Sequence, residues 1–289
     1  MKIAMNNIET TRKLRSLITG IPATDGAGVK LVRVIGQPAL QELDPFLLLD
    51  AFRSDNPDDY IAGFPSHPHR GFETVTYLLD GRMRHKDNAG NEGVIEAGGI
   101  QWMTAGKGII HSEMPEQEDG RLEGFQLWIN LPASHKMTQP AYQEYKVNKI
   151  PLESRPGTSI RVITGETSQG TVGPVSQPLT VPLYLDVSLD ANTAFSESLP
   201  GQHNAFVYVI QGSLGLENEQ GEKISVTRDQ LAILSLGTAI ELESQEQPAR
   251  FLLIAGKPIG EPVARSGPFV MNNQEELQQA YMDYQSGDF

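Results

Sequence analysis

The sequence predicts an all-β protein: two tandem antiparallel β-barrel or sandwich units, with one helix at the C-terminus. Three observations carry that expectation. Short segments alternate apolar and polar residues, Gly and Pro clusters separate them, and the front half of the chain echoes in the back half at one spacing. The alternation is clearest at Phe125, Leu127, Ile129 and Leu131, and again at Leu183, Leu185, Val187 and Leu189. Successive side chains of a strand point to opposite faces, so period two marks a strand with one buried face. The 289 residues include 28 Gly and 19 Pro, enough for a turn every few strand lengths. Of the turn segments, "DNAGNEG" (87–93) and "ENEQGEK" (217–223) read as hairpins.

The echo is seen by adding 131 to a residue number. Tyr77 then falls on Tyr208, Gly81 on Gly212 and Gly106 on Gly237, which suggests a duplicated β-unit. The expected division is a first unit over residues 1–133, a connection over 134–150, and a second unit over 151–289. In the tail, Leu277, Ala280, Tyr281 and Tyr284 fall at helical spacing, and Asn273 followed by Glu276 resembles a capping box. A helix packed by that stripe against a sheet is expected there.

Charge and composition exclude several classes. The net charge of −13 opposes non-specific attraction to nucleic acid or anionic membranes. There is no cysteine, so disulfides, thiolate metal sites and cysteine nucleophiles are ruled out. The first twenty residues are polar and lack the apolar core of a signal peptide, and no apolar run approaches the ~18 residues of a membrane span. A cytoplasmic protein is expected.

Chemistry enters with the histidines, of which the chain has six. In "FPSHPHRGFETV" (64–75), His67 and His69 stand at i and i+2; in "TAGKGIIHSEMPE" (104–116), so do His111 and Glu113. Each pair shares one strand face. If the two strands face each other, three imidazoles and one carboxylate can meet. Such a set suits divalent iron, nickel, copper, zinc or manganese, and on a six-coordinate ion leaves two positions open. Adding 131 to the four positions gives Ser198, Pro200, Leu242 and Ser244, none a useful ligand, so the front unit is expected to hold a metal and the back unit none. Arg70 is expected to face away from the metal in a surface or rim ion pair. His85 and His135 are expected to be exposed, and His203 structural. Phe64, Trp102, Met114 and Phe125 lie near the ligand segments and are expected to belong more to core than to a substrate slot.

These segments resemble known motifs. "HPHRGFE" and "GGIQWMTAGKGIIHSE" resemble the two cupin motifs, and "FPSHPHRGFETVTYLLDG", "QWMTAGKGIIHSEMP" and "GPFVMNNQEELQQAYMDYQSGDF" resemble the pirin family over most of the chain. The resemblance implies a bicupin whose N-terminal unit holds a metal, usually iron, by three histidines and a glutamate; these fall on His67, His69, His111 and Glu113. Manganese, nickel, copper, cobalt or zinc are alternatives to iron(II). Glu73, the glutamate of the general cupin motif, is a weaker ligand candidate. The resemblance implies either a quercetin 2,3-dioxygenase-like activity or a metal-dependent protein-binding or redox-sensing module, a transcriptional coregulator or a metabolic-enzyme partner. In the first case the substrates are a flavonol and dioxygen: oxygen adds at C2, the heterocycle opens and carbon monoxide leaves. Glu113 is then also the candidate base, in tension with its role as a ligand.

Overall fold

The computed structural model describes residues 10–289. Residues 1–9, part of the polar first twenty, lie outside the described residues. The first barrel has a seven-stranded antiparallel sheet. Its spatial order is Ala141–Tyr145, Ile100–Thr104, Phe72–Asp80, Leu122–Asn130, Phe46–Ser54, Val29–Ile35 and Ile21–Asp25. A four-stranded sheet, Phe64–His69, Ile109–Pro115, Arg82–Asp87 and Glu92–Glu96, packs against it through Leu31, Phe52, Leu78, Met83 and Ile95.

The second barrel repeats this plan. Its seven-stranded sheet runs Leu152–Arg155, Thr158–Thr164, Leu183–Leu189, Ala249–Gly256, Asn204–Gln211, Gln230–Leu234 and Leu14–Thr19, and a five-stranded sheet closes it. The turns form where the sequence places them. Lys86 pairs with Glu92 across one hairpin, and Glu217 pairs with Lys223 across the other. Gly81 and Gly212 end equivalent strands with φ of 86° and 72°, a conformation that side chains with a Cβ rarely adopt.

The two seven-stranded sheets share one apolar cluster. It joins Val75, Tyr77, Trp102, Phe125, Leu127 and Ile129 of the first to Tyr184, Phe206, Tyr208, Leu252 and Ile254 of the second. Central strands are therefore buried on both faces. On Asn204–Gln211, Ala205, Val207 and Val209 fill the second barrel, while Phe206, Tyr208 and Ile210 fill the contact between barrels. Leu183, Leu185, Val187 and Leu189 share the second barrel's core, as their alternation predicts. Buried Tyr77 donates to Asp186 Oδ2 at 2.6 Å across the contact, and Asp186 also accepts two hydrogen bonds from Arg250.

The chain ends cross over, and this departs from a linear division of the chain. Leu14–Thr19 extends the second barrel's sheet, beside Gln230–Leu234. The stretch expected as a connection contains the strand Ala141–Tyr145, which pairs with Ile100–Thr104 of the first barrel. The C-terminal hairpin, Ala264–Ser266 with Phe269–Met271, and the helix Gln274–Ser286 return to the first barrel. Asn273 caps that helix by accepting from Glu276 N at 2.9 Å, and Gly287 closes it with φ 81°. Leu277 and Ala280 are buried as expected, while Tyr281 and Tyr284 lie edge-on to Phe269 at the exposed margin.

Candidate metal centre

Strands Phe64–His69 and Ile109–Pro115 are antiparallel neighbours in the four-stranded sheet. Their register sets His111 opposite His67 and Ile109 opposite His69, with a bulge between His111 and Glu113. Three imidazoles converge as a result. One nitrogen from each of His67, His69 and His111 lies within 4.8 Å of the others. The His67 and His69 Nε2 atoms are 3.0 Å apart. The opposite ring nitrogens are committed elsewhere: Nδ1 of His67 faces Pro65 O at 2.8 Å, and Nδ1 of His69 faces Pro268 O at 3.3 Å. His111 Nε2 is buried and has no hydrogen-bond partner among the described residues.

An orphaned buried acceptor is costly, by about 1–3 kcal/mol. A divalent ion would use that lone pair, so the donor set fits one. Burial, followed by the neighbouring imidazoles, holds His69 and His111 well below the usual histidine range, which keeps their rings neutral and able to ligate.

The two carboxylates near this cluster are placed differently. Glu113 is buried and lines the same cavity, but it is not part of the three-residue cluster. Its Oε1 accepts from the Thr76 hydroxyl and its Oε2 from Gln126 Nε2 at 3.1 Å. Glu73 accepts from Thr104 Oγ1 and Gln177 Nε2, both at 2.6 Å, and stands outside the cluster. Burial pushes its carboxyl above the ordinary range.

His67 and His69 open into a cavity of about 670 Å³. Its apolar walls include Leu31, Leu48, Phe52, Phe64 and Trp128. Volume and lining suit a flat aromatic molecule. Phe64 thus faces the cavity, whereas Trp102, Ile100 and Phe125 pack between the barrels and Met114 is half-buried. Trp128 escaped the sequence reading, although its signal was present. It alternates with Phe125, Leu127 and Ile129, so when those face the second barrel, Gln126 and Trp128 face the cavity. Arg265 also lines the cavity, with its guanidinium 4.7 Å from the Trp128 ring centroid and one N–H on Leu47 O at 3.1 Å. No spacing near the histidines could have found Arg265, because the C-terminal segment carries it there.

Two expectations are corrected. Arg70 is not at a surface or rim: it is 2% exposed and ion-paired to Asp283 of the C-terminal helix at 2.6 Å, with Phe289 over its guanidinium. Next to it, a Cβ on Gly71 would lie 1.9 Å from Val270 O, so only glycine admits the C-terminal hairpin so close to the ligand strand. His85 is not exposed either. The strand Arg82–Asp87 alternates, and Met83, His85 and Asp87 are its buried face. His135 is exposed and His203 is buried.

The second barrel supplies an internal comparison. Its strands Ala194–Ser198 and Ala239–Ser244 pair as the ligand strands do, but the register places Leu242 opposite Phe195 where the first barrel has His111 opposite His67. The spacing of 131 therefore holds for one ligand strand and shortens by three for the other. Phe195 and Glu197, not Ser198 and Pro200, occupy the equivalent positions. Leu242 and Phe195 are core residues, and Glu197 is ion-paired to Arg155 at 2.6 Å. The second barrel has packed apolar side chains where the first has His67 and His111, and an ion-paired carboxylate where the first has His69.

Known proteins are similar to this chain in sequence and in fold. The family model for pirin matches residues 28–129, and that for the pirin C-terminal cupin domain matches residues 184–289. A pirin-like protein of Caulobacter vibrioides is 50% identical over 96% of this chain and 99% of its own. Human pirin is 40% identical over 96% of this chain and 93% of its own. The crystal structure of a quercetin 2,3-dioxygenase from Acinetobacter baumannii superposes with a TM-score of 0.87 at 32% identity, covering 97% of this chain and 99% of that one. The fold is a bicupin.

Proposed function

The chain belongs to the pirin family, and we propose that it is a metal-dependent dioxygenase that opens the heterocyclic ring of flavonols or similar enediol-like phenols. The observation that carries this reading is a cluster of three imidazoles, two of which, His67 and His69, line an aromatic-walled cavity of about 670 Å³. His67, His69 and His111 would hold one divalent ion, iron(II) in the first instance. When bound, that ion supplies Lewis acidity and a redox-capable centre to the reacting oxygen atoms.

The protein's own groups do the rest. The walls at Phe52, Phe64 and Trp128 take up the flat rings and exclude water from the inner end of the cavity. Glu113 is fixed by Thr76 and Gln126 and receives the proton of the flavonol 3-hydroxyl. Arg265, stacked on Trp128 and without an ion-pair partner among the described residues, places a positive charge beside the enolate so formed. Glu113 as the fourth metal ligand is the alternative assignment, and its hydrogen bonds to Thr76 and Gln126 would then have to yield.

The test uses iron(II)-reconstituted protein with quercetin. Oxygen uptake and carbon monoxide release that vanish in His67→Ala support the enzyme. A fully loaded protein that consumes no oxygen with quercetin or related phenols overturns it and favours a metal-dependent protein-binding module.

A further inference from the structure

The inner face of the strand Arg82–Asp87 meets the metal centre from behind. His111 Nδ1 lies 3.4 Å from His85 Nδ1, and His85 Nε2 lies 3.0 Å from Asp87 Oδ2. All three side chains are buried. The His85 ring is clamped by stacking on Tyr142, with centroids 4.6 Å apart and planes 23° from parallel. Asp87 is fixed in turn by Ala89 N at 3.0 Å, Asn91 N at 2.9 Å and the Asn91 side-chain amide.

With both histidines neutral, the parity of donors and acceptors along this line has one solution. Asp87 can only accept, so His85 carries its proton on Nε2. A neutral His85 then presents a lone pair at Nδ1. His111 must place its own proton on Nδ1 to meet it, which leaves the His111 Nε2 lone pair free. That atom is the buried one without a partner. We infer that Asp87 and His85 are positioning residues: a buried two-step relay that fixes His111 in the one tautomer able to ligate a metal through Nε2. His67 and His69 reach the same tautomer differently, through the backbone carbonyls of Pro65 and Pro268. His111 alone depends on side chains, so its tautomer can be reversed by one near-isosteric substitution. Partners behind a ligating histidine commonly change metal affinity by about 10–100-fold when altered.

The inference rests on the metal reading above, and its test separates the two. Cobalt(II) affinity is measured by chelator competition for wild type, Asp87→Asn, His85→Asn and the double variant. Asp87→Asn keeps an oxygen for the turn N–H groups but presents an N–H₂ to His85. This turns the relay around, and cobalt affinity is expected to fall by about 10–100-fold. His85→Asn sets an amide oxygen where Nδ1 was, so affinity is expected to stay within about threefold of wild type. On that background Asp87→Asn is expected to add no further loss. A second readout is the set of hyperfine-shifted, exchangeable imidazole N–H resonances of the cobalt protein. The His111 signal should be lost or displaced in Asp87→Asn and the other two retained.

Equal cobalt affinity in wild type and Asp87→Asn overturns the inference. So does an Asp87→Asn loss of the same size on both backgrounds, since that would come from the turn and not the relay. If wild type takes up no cobalt, the metal reading falls, and the relay with it.

Discussion

Replacing His111 by leucine, the residue at the equivalent position of the second barrel, should stabilise the metal-free protein and destabilise the metal-loaded one. Without metal, His111 buries an unsatisfied Nε2, a cost of about 1–3 kcal/mol that leucine removes. Burying a leucine side chain contributes about 1.5–3 kcal/mol. Against this, the long hydrogen bond to His85 is lost, about 0.5–1.5 kcal/mol, and His85 Nδ1 becomes an orphan at about 1–3 kcal/mol. The balance favours His111→Leu by about 1 kcal/mol. With zinc at a hundredfold excess over its dissociation constant, wild type gains about 2.7 kcal/mol that the variant largely forgoes. The order of stability should therefore reverse, with wild type ahead by about 1.7 kcal/mol on the same arithmetic. Urea unfolding followed by tryptophan fluorescence reports on the relevant barrel, because the two tryptophans, Trp102 and Trp128, both lie on its strands. At a slope near 2 kcal/mol per molar urea, 1 kcal/mol moves the midpoint by about 0.5 M. A variant more than about 2 kcal/mol below wild type in chelator, or a gap that zinc leaves unchanged, would refute the view that this position is built for a metal at the expense of the fold.

Two further perturbations address Glu113 and Lys136. Glu113→Gln should bind zinc within about threefold of wild type while iron-dependent quercetin turnover falls by about 10²–10⁴; a parallel loss of zinc affinity would move Glu113 into the ligand set. Lys136 donates to Gly71 O, Asn130 Oδ1 and Val270 O, and burial brings its ammonium down from 10.5 to about 8. Between pH 8 and 10.5 the unfolded chain therefore holds a proton that the folded one does not, so this group's contribution to stability rises with pH. Wild type should gain on Lys136→Met across that window, by at most about 3 kcal/mol. A difference in urea midpoint that is flat or shrinking would contradict this.

What the sequence disclosed, and what it hid, follow from distance along the chain. The strands, both hairpins, the terminal helix and the convergence of His67, His69 and His111 are local patterns joined by one antiparallel pairing. Alternation was enough to find them. The same rule holds for His85 and Asp87, again at i and i+2 on one face, but the polar neighbours Arg84 and Lys86 made that segment look exposed. Those two occupy the outer face. Arg265 and the environment of Arg70 depend on a C-terminal return over the first barrel, which no local spacing encodes. The echo at 131 misaligned one strand because the second copy carries three extra residues between that strand and the next, a shift that only strand register exposes.

That return also bears on why a second barrel accompanies the site. The sheet that forms one wall of the cavity is apolar on its other face as well, at Val75, Tyr77, Trp102, Phe125 and Leu127. A sheet buried on both faces cannot stand at a surface without exposing that area to water. The second barrel covers it, with Tyr77 and Asp186 satisfying each other's polar groups across the contact. The chain then sends its last segment back to close the cavity side: Pro268 O meets His69 Nδ1, Val270 N meets Arg70 O, and Asp283 neutralises the buried Arg70. The ligand strand Phe64–His69 is thus held by contacts that start in the second half of the sequence. His111 can keep its unsatisfied Nε2 because the packing around the site is completed by segments from the second half of the chain.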